Sequence, residues 1–175
     1  MINFEIANST FFEENKNYIN DLLEKWDKYN PKATGYCNSY GYDITVQLNK
    51  FTYPTIIKLQ KQQNTQSGSL KPIDAIDCYK TELNFNNVFI KNNVEIGRSK
   101  ISRLFTKNKF KKILGPPYYL KSTNDNISEI ITDFIALHNI EFFKLHNNEL
   151  TVKTHNKITC SEILLNLEKL IKNSA

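Results

Sequence analysis

The sequence predicts an α+β fold in which a mostly antiparallel sheet, built from hairpins, is covered on one face by three to four helices. Three observations support this class. Short segments alternate apolar and polar residues, as half-buried strands do, and Asn-containing pairs suited to tight turns separate them. Other segments repeat apolar residues at helical spacing. The two kinds of segment do not alternate strictly, which argues against a parallel sheet joined by helices.

The first helix is predicted near the start of the chain, before Pro31. Thr10 and Glu13 have the T-x-x-E spacing of a capping box, in which each side chain satisfies a backbone N–H of the first turn. Asn30-Pro31 ends the helix, because proline disfavours helix in the residue before it. The apolar face of this helix consists of Ile19, Leu22, Leu23 and Trp26.

The clearest alternation of apolar and polar residues predicts the first hairpin. A two-residue turn at Asn49-Lys50, which pairs Leu48 with Phe51, is the register that places the most apolar side chains on one face. Pro54 falls within the second strand. That strand is therefore expected at an edge of the sheet, or with the backbone position of Pro54 facing outward.

The polar stretch from Gln60 to Lys71 predicts a long loop. We expect one compact domain over residues 1–175, a length that is sufficient to bury a core. The alternative is a split near residues 60–73 into an N-terminal helix-hairpin subdomain and a C-terminal α+β subdomain. A short helix is expected from Asp74 to Tyr79.

A second hairpin is predicted around Asn92-Asn93, where Phe89 would pair with Ile96. The other segments expected along this part of the chain are a short helix at residues 99–107, a strand at residues 118–120, a helix that begins near Asn126, and a last helix opened by a T-x-x-E box at Thr159 and Glu162.

A third hairpin is predicted with its turn at Asn147-Asn148, which places Leu145 opposite Leu150. Asparagine tolerates the positive φ that a tight hairpin turn requires. In this register His146 lies beside the turn, and His155 lies at the other end of the hairpin. The intervening strand separates the two side chains by roughly 20 Å, too far to share a metal ion.

Composition excludes several classes of protein. Hydrophobic residues make up 40% of the chain and aromatic residues 12%, which is inconsistent with wholesale disorder. No apolar run approaches the roughly 20 residues that a bilayer requires, and the first residues lack the pattern of a signal peptide. Three widely spaced cysteines argue against a disulfide scaffold, so a cytoplasmic location is expected.

Sequence motifs for catalysis and cofactor binding are missing. The five glycines form neither a phosphate-binding loop nor a nucleophile elbow, and no zinc-binding pattern occurs. We therefore expect no cofactor, no metal and no catalytic residue. One alternative remains open, a small enzyme of unknown class whose cleft is lined by Tyr36, Tyr40, His138 or His155. Of these, His138 and His155 could meet at the base of the third hairpin.

The positive charge is concentrated in one segment. The net charge is +5, yet the segment between Glu95 and Asp125 carries eight basic residues and no acidic one, so the rest of the chain is −3. Such a local excess is typical of a surface that attracts an anionic partner. The residues predicted to form this basic surface are Arg98, Lys100, Arg103, Lys107, Lys109, Lys111 and Lys112.

These features predict a non-catalytic binding protein that engages an anionic partner through residues 98–112. Lysine is a point charge, which favours weak, sequence-independent contacts over base reading. A protein partner is favoured over nucleic acid because no base-reading helix or aromatic sheet motif is found. Non-specific nucleic-acid binding through the same surface is the first alternative. An anionic membrane surface is a further one. The sequence does not define the oligomeric state.

Overall fold

Nine strands form one sheet, and three α-helices accompany them in the part of the chain that the structure describes. The structure is a computed structural model. It describes residues 1–5, 9–64, 76–88, 93–98, 118–122, 125–158 and 162–174. The strands are β1 (Ile2–Phe4), β2 (Pro31–Asn38), β3 (Gly41–Leu48), β4 (Thr55–Asn64), β5 (Ile76–Phe85), β6 (Val94–Arg98), β7 (Tyr118–Ser122), β8 (Phe142–His146) and β9 (Glu149–Thr154). The helices are α1 (Thr10–Lys25), α2 (Asp125–His138) and α3 (Glu162–Ser174), and a short 3-10 helix spans Asp27–Tyr29.

The strand order in the sheet is β1-β2-β3-β4-β5-β9-β8-β6-β7. Only β1 and β2 are parallel, so the expected α+β class with a mostly antiparallel sheet is confirmed. β5 joins the two halves of the sheet. It pairs with β4 along its whole length but with β9 only over residues 81–85, because β9 ends at Thr154. The sheet therefore has a step beside residues 76–80.

The N-cap of helix α1 lies one residue before the predicted one. Ser9 has extended backbone angles, and its hydroxyl accepts the N–H of Phe12 at 3.3 Å, so Ser9 rather than Thr10 is the N-cap. The predicted apolar face is otherwise correct: Ile19, Leu22 and Trp26 are buried, and Leu23 is partly buried against the same core.

The predicted register of the first hairpin is wrong. β3 and β4 do pair, but Leu48 lies opposite Thr55 rather than Phe51, and the segment 49–54 connects the strands. Phe51 is not part of a strand. Its buried ring packs 5.0 Å from that of Tyr29 and 6.0 Å from that of Phe85. The shift from Phe51 to Thr55 is an even number of positions and keeps the same side chains facing the core, so the predicted buried side of β3 is still correct.

Pro54 does not mark an edge strand. It immediately precedes β4, whose neighbours are β3 and β5, so its missing N–H removes no bond from the ladder. Two more predictions in the middle of the chain are wrong. Residues 76–79 belong to β5 rather than to a helix, and the second predicted hairpin does not form, because β7 and β8 pair with both sides of β6.

The third hairpin is confirmed. Leu145 lies opposite Leu150, and both turn residues have a positive φ, 49° at Asn147 and 63° at Asn148. The strand at residues 118–120 and the helices near Asn126 and Glu162 are also confirmed. The short helix expected at residues 99–107 and the cap expected at Thr159 lie outside the described residues.

The two faces of the sheet differ in burial. Alternate strand residues such as Ile44, Ile57, Leu83 and Phe143 are fully buried, and they form one core cluster with apolar residues of all three helices. We call this side the buried face. The residues between them form what we call the polar face, which includes Asp43, Lys58, Lys80, Glu82, Phe142, Lys144 and Lys153. No helix among the described residues is long and apolar enough to cross a membrane.

Candidate functional site

Arg98 is the one residue of the predicted basic surface that lies in the described part of the chain. Arg98 is the last residue of β6 and lies opposite Tyr118, the first residue of β7. Residues 99–117, which hold the other six predicted residues, therefore leave and rejoin the sheet at neighbouring positions. Those six residues lie outside the described part of the chain. They are Lys100, Arg103, Lys107, Lys109, Lys111 and Lys112.

Arg98 is held against the fold by three side chains. Its Nε donates to the hydroxyl of Tyr118 at 2.7 Å, one terminal nitrogen donates to Asn139, and the other lies 3.4 Å from the carboxylate of Glu141. The guanidinium also lies 5.0 Å from the centre of the Tyr118 ring. These contacts fix the orientation of the side chain, although 36% of it remains exposed. Arg98 thus has a fixed orientation at the last described residue before 99–117, and we call it the anchor.

Glu141 links this anchor to His155. One carboxylate oxygen of Glu141 faces Arg98, and the other accepts from Nδ1 of His155. The backbone of Glu141 strengthens the link, because its carbonyl accepts from Arg98 and its N–H donates to the carbonyl of Lys153, both at 2.9 Å. Arg98, Glu141 and His155 form a continuous polar row across the ends of three neighbouring strands.

A cleft of about 460 Å³ lies along this row, at the step where β9 ends. The cleft has a formal charge of +2 when histidine is neutral, because four basic side chains outnumber the carboxylates of Glu82 and Glu141. Its lining residues are Lys58, Gln60, Lys80, Thr81, Glu82, Arg98, Glu141, Phe142, Lys153, Thr154 and His155.

Cross-strand pairing places the charges of this cleft. The register sets Glu82 between Lys58 on β4 and Lys153 on β9. Glu82 forms an ion pair with Lys153 at 2.8 Å and accepts a hydrogen bond from Asn84 at 3.0 Å. Burial disfavours the charged carboxylate, but these two bonds and the attraction of Lys153 and Lys58 outweigh it and hold the pKa of Glu82 below its usual value.

Lys58 and Lys80 are the available cations of the cleft. Both side chains are exposed, and among the residues that the structure describes neither forms an ion pair. Lys58 only attracts Glu82 from a longer distance. Lys80 lies opposite Gln60, whose amide donates to Asp43 at 2.8 Å. Two ammonium groups are therefore free to contact a ligand in the cleft.

The four residues suggested for an enzymatic cleft do not come together. Tyr36 and Tyr40 line a shallow pocket beside β2 and β3, His155 lies in the cleft at the step, and His138 lines a third pocket near α3. The two histidines do not pair. His155 contacts Glu141, whereas Nε2 of His138 lies 3.0 Å from the amide nitrogen of Asn166. Burial lowers the pKa of His138. No cluster of three or more metal-ligating residues occurs in the described part of the chain.

A buried lysine on β4 is absent from the sequence prediction. Lys61 is 8% exposed, and its ammonium lies 2.9 Å from the amide oxygen of Asn15 and 3.1 Å from the carboxylate of Asp77. Tyr79 donates to Asp77 at 2.9 Å, and burial together with this carboxylate raises the pKa of Tyr79 to about 12. The sequence does contain a signal for the burial of Lys61. Lys61 continues the alternation of Ile57 and Leu59, so it lies on the same side of the strand as these two apolar residues.

Comparison with known proteins found no family model that matches the chain, no similar curated protein and no similar solved structure.

Proposed function

We propose that this protein is a non-catalytic binding protein that engages an anionic partner protein through the basic surface of residues 98–112. The observation that carries the proposal is the segment between Glu95 and Asp125, which has eight basic residues and no acidic one in a chain that is otherwise −3. A single-signed segment of this kind raises the rate at which an oppositely charged partner is encountered.

The position of this segment on the sheet supports the proposal. The described residues that flank residues 99–117, Arg98 and Tyr118, are paired on β6 and β7, so this stretch leaves and rejoins the sheet at neighbouring positions. Arg98 has a positioning role, since Tyr118, Asn139 and Glu141 already hold its guanidinium. The lysines beyond it are assigned to contact the partner, in the cytoplasm.

We further infer that the three helices lie against the buried face of the sheet and leave the polar face open. The burial pattern supports this arrangement, because the core cluster combines helix residues with only one set of alternate strand residues. Arg98, the first residue of the basic surface, would then border this open face, because it lines the same cleft as Lys58 and Lys153.

Charge reversal in the basic surface tests the proposal. We would compare the tagged protein with a variant that carries Lys107→Glu, Lys109→Glu, Lys111→Glu and Lys112→Glu, purify both from native cells, and identify the bound molecules by mass spectrometry. A matched control reverses four exposed lysines elsewhere, Lys28, Lys32, Lys50 and Lys169. We expect an acidic protein to co-purify with the wild type and the control and to be lost from the first variant. Equal recovery with both variants would contradict the proposal.

The salt dependence of DNA binding distinguishes a nucleic-acid partner from the proposed protein partner. Binding of fluorescently labelled, unrelated double-stranded DNA should be weak and unspecific if the partner is a protein. If nucleic acid is the partner, the logarithm of the binding constant should fall with the logarithm of salt concentration, with a slope of about −0.9 for each phosphate neutralised. Tight DNA binding with a slope of several units would favour the alternative over the proposed protein partner.

A further inference from the structure

We propose that the cleft at the step of the sheet binds a small dianionic phosphate ester, with the phosphate between Lys58 and Lys80 and the organic part against Phe142. This inference goes beyond the proposed function, because it concerns a small ligand and a cleft that shares only Arg98 with the basic surface. The site is assembled from strands that meet where β9 stops at Thr154.

Charge complementarity favours a dianion. The lining has a formal charge of +2, and the two lysines without an ion pair account for that excess. The other two cations are already engaged, Lys153 with Glu82 and Arg98 with Glu141. A ligand with two negative charges would neutralise Lys58 and Lys80 without breaking either pair.

The chemistry of the free donors favours phosphate over carboxylate. The planar fork of arginine recognises carboxylate and phosphate alike through two parallel hydrogen bonds, whereas lysine commonly binds phosphate as a point charge. The only guanidinium among the described residues of the cleft is turned toward Tyr118, Asn139 and Glu141. The cleft thus offers two ammonium groups, which are point charges with rotatable donors. Such groups can contact several oxygens of a tetrahedral phosphate in any orientation.

Phe142 provides the apolar wall. Its half-buried ring lies beside Lys153 on the polar face, with the ammonium of Lys153 5.9 Å from the ring centre. The volume of about 460 Å³ falls within the range of roughly 300–1,000 Å³ that small-molecule sites occupy. A phosphate ester with a small apolar or aromatic body therefore matches the cleft in both charge and size.

The test is an NMR titration of the full chain with phenyl phosphate. Inorganic phosphate tests the anion alone, phenol the aromatic body alone, and phthalate a dianionic carboxylate. We expect phenyl phosphate to shift the backbone amides of Lys58, Lys80 and Lys153 and to bind more tightly than any of the other three. Phthalate that binds as tightly as phenyl phosphate would overturn the assignment to phosphate, and shifts that avoid the cleft would overturn the site.

Two double variants provide the comparison. Lys58→Gln with Lys80→Gln removes the free cations of the cleft, and Lys32→Gln with Lys50→Gln removes the same charge from exposed positions outside it. We expect the Kd for phenyl phosphate to rise about tenfold or more in the first variant and to stay within about twofold in the second. An equal loss of affinity in both variants would mean that phenyl phosphate is attracted to exposed lysines in general, and it would overturn the proposal.

Partner binding through the basic surface is measured on the same cleft variant. Residues 98–112 are unchanged in it, so the proposed function predicts that the acidic partner is retained when phenyl phosphate is lost. The two proposals can therefore fail independently.

Discussion

The two faces of the sheet use the same strands for different purposes. On β8, Phe143 is fully buried, whereas its neighbour Phe142 stands half-buried at the wall of a charged cleft. On β4, Lys61 is buried and bonded to Asn15, whereas Lys58 is exposed and has no ion pair among the described residues. Burial decides whether a side chain contributes to stability or remains available to a ligand.

The largest difference in stability between the two faces is expected when the neighbouring phenylalanines of β8 are each replaced by alanine. Phe143→Ala should lower the free energy of unfolding by about 3–5 kcal/mol, because it leaves a cavity in the core where the Phe143 ring lies 6.4 Å from that of Phe134. Phe142→Ala should cost about 1 kcal/mol or less. Urea unfolding followed by the emission of Trp26, the single and fully buried tryptophan, measures both. Equal losses would contradict the difference between the faces.

The next effect concerns the lysines of β4. Lys61→Met should cost about 1–3 kcal/mol, because it leaves the buried amide oxygen of Asn15 and the carboxylate of Asp77 without their cation. Lys58→Met, on the polar face of the same strand, is the matched control and should change stability by about 0.5 kcal/mol or less. A Lys61→Met variant as stable as the control would show that the buried contacts contribute no net stability.

A smaller effect should appear as pH dependence on the helix side. Burial lowers the pKa of His138 below its ordinary value of 6.5, and the contact with Asn166 suits the neutral ring, whose Nε2 accepts from the amide. The unfolded chain therefore takes up the proton first. Stability should fall as pH decreases through about 6.5 and should level off below the folded pKa.

The variant His138→Gln tests this pH dependence. Its stability should decrease less than that of the wild type when the pH is lowered from about 7.5 to 5, and the difference should be constant at higher pH. Unfolding measured by Trp26 emission at each pH provides the comparison. Parallel curves for the two proteins would refute the role of His138.

The smallest effect is expected from the ion pair of the polar face. A double-mutant cycle with Glu82→Gln and Lys153→Gln should give a coupling of about 0.2–1 kcal/mol, because both groups are partly exposed. The lowered pKa of Glu82 means that this contribution is present above about pH 4.5 and is lost as pH falls through the folded pKa. The coupling should shrink at about 0.5 M salt. A coupling that is insensitive to salt would point to a desolvated pair.

Local patterns were sufficient for several elements. The register of β8 and β9 follows from two asparagines that accept positive φ and from apolar residues placed symmetrically around them. The register of such a hairpin is determined by residues that are close in sequence and does not depend on the rest of the chain. The register of β3 and β4 failed because Phe51, which continues the alternation, is used instead to fill the core beside Tyr29 and Phe85.

Strands that pair over long distances were not visible in the sequence. β2 has no clear alternation, and Gly35 at its centre has a φ of 136° and lies so close to Asp43 of β3 that a side chain would collide with the backbone. β1 joins this edge through three parallel pairs, and the whole of α1 separates it from β2 along the chain. Similarly, the pairing of β6 with β7 and β8 excludes the hairpin that its own neighbours suggest.

The candidate sites show the same division between local and distant information. The concentration of basic residues at 98–112 can be read from charge alone, since it depends on no contact. The fixed orientation of Arg98 cannot be predicted from the sequence, because its partners Asn139 and Glu141 lie much further along the chain, beyond β7 and α2. The cleft also depends on distant segments. It forms where β9 stops at Thr154 and leaves residues 76–80 of β5 without a β9 partner, and it brings together Lys58, Lys80 and His155. Composition and short-range periodicity thus established the fold class and the local charge, whereas contacts between distant segments, which no local pattern encodes, decided the register, the anchor and the cleft.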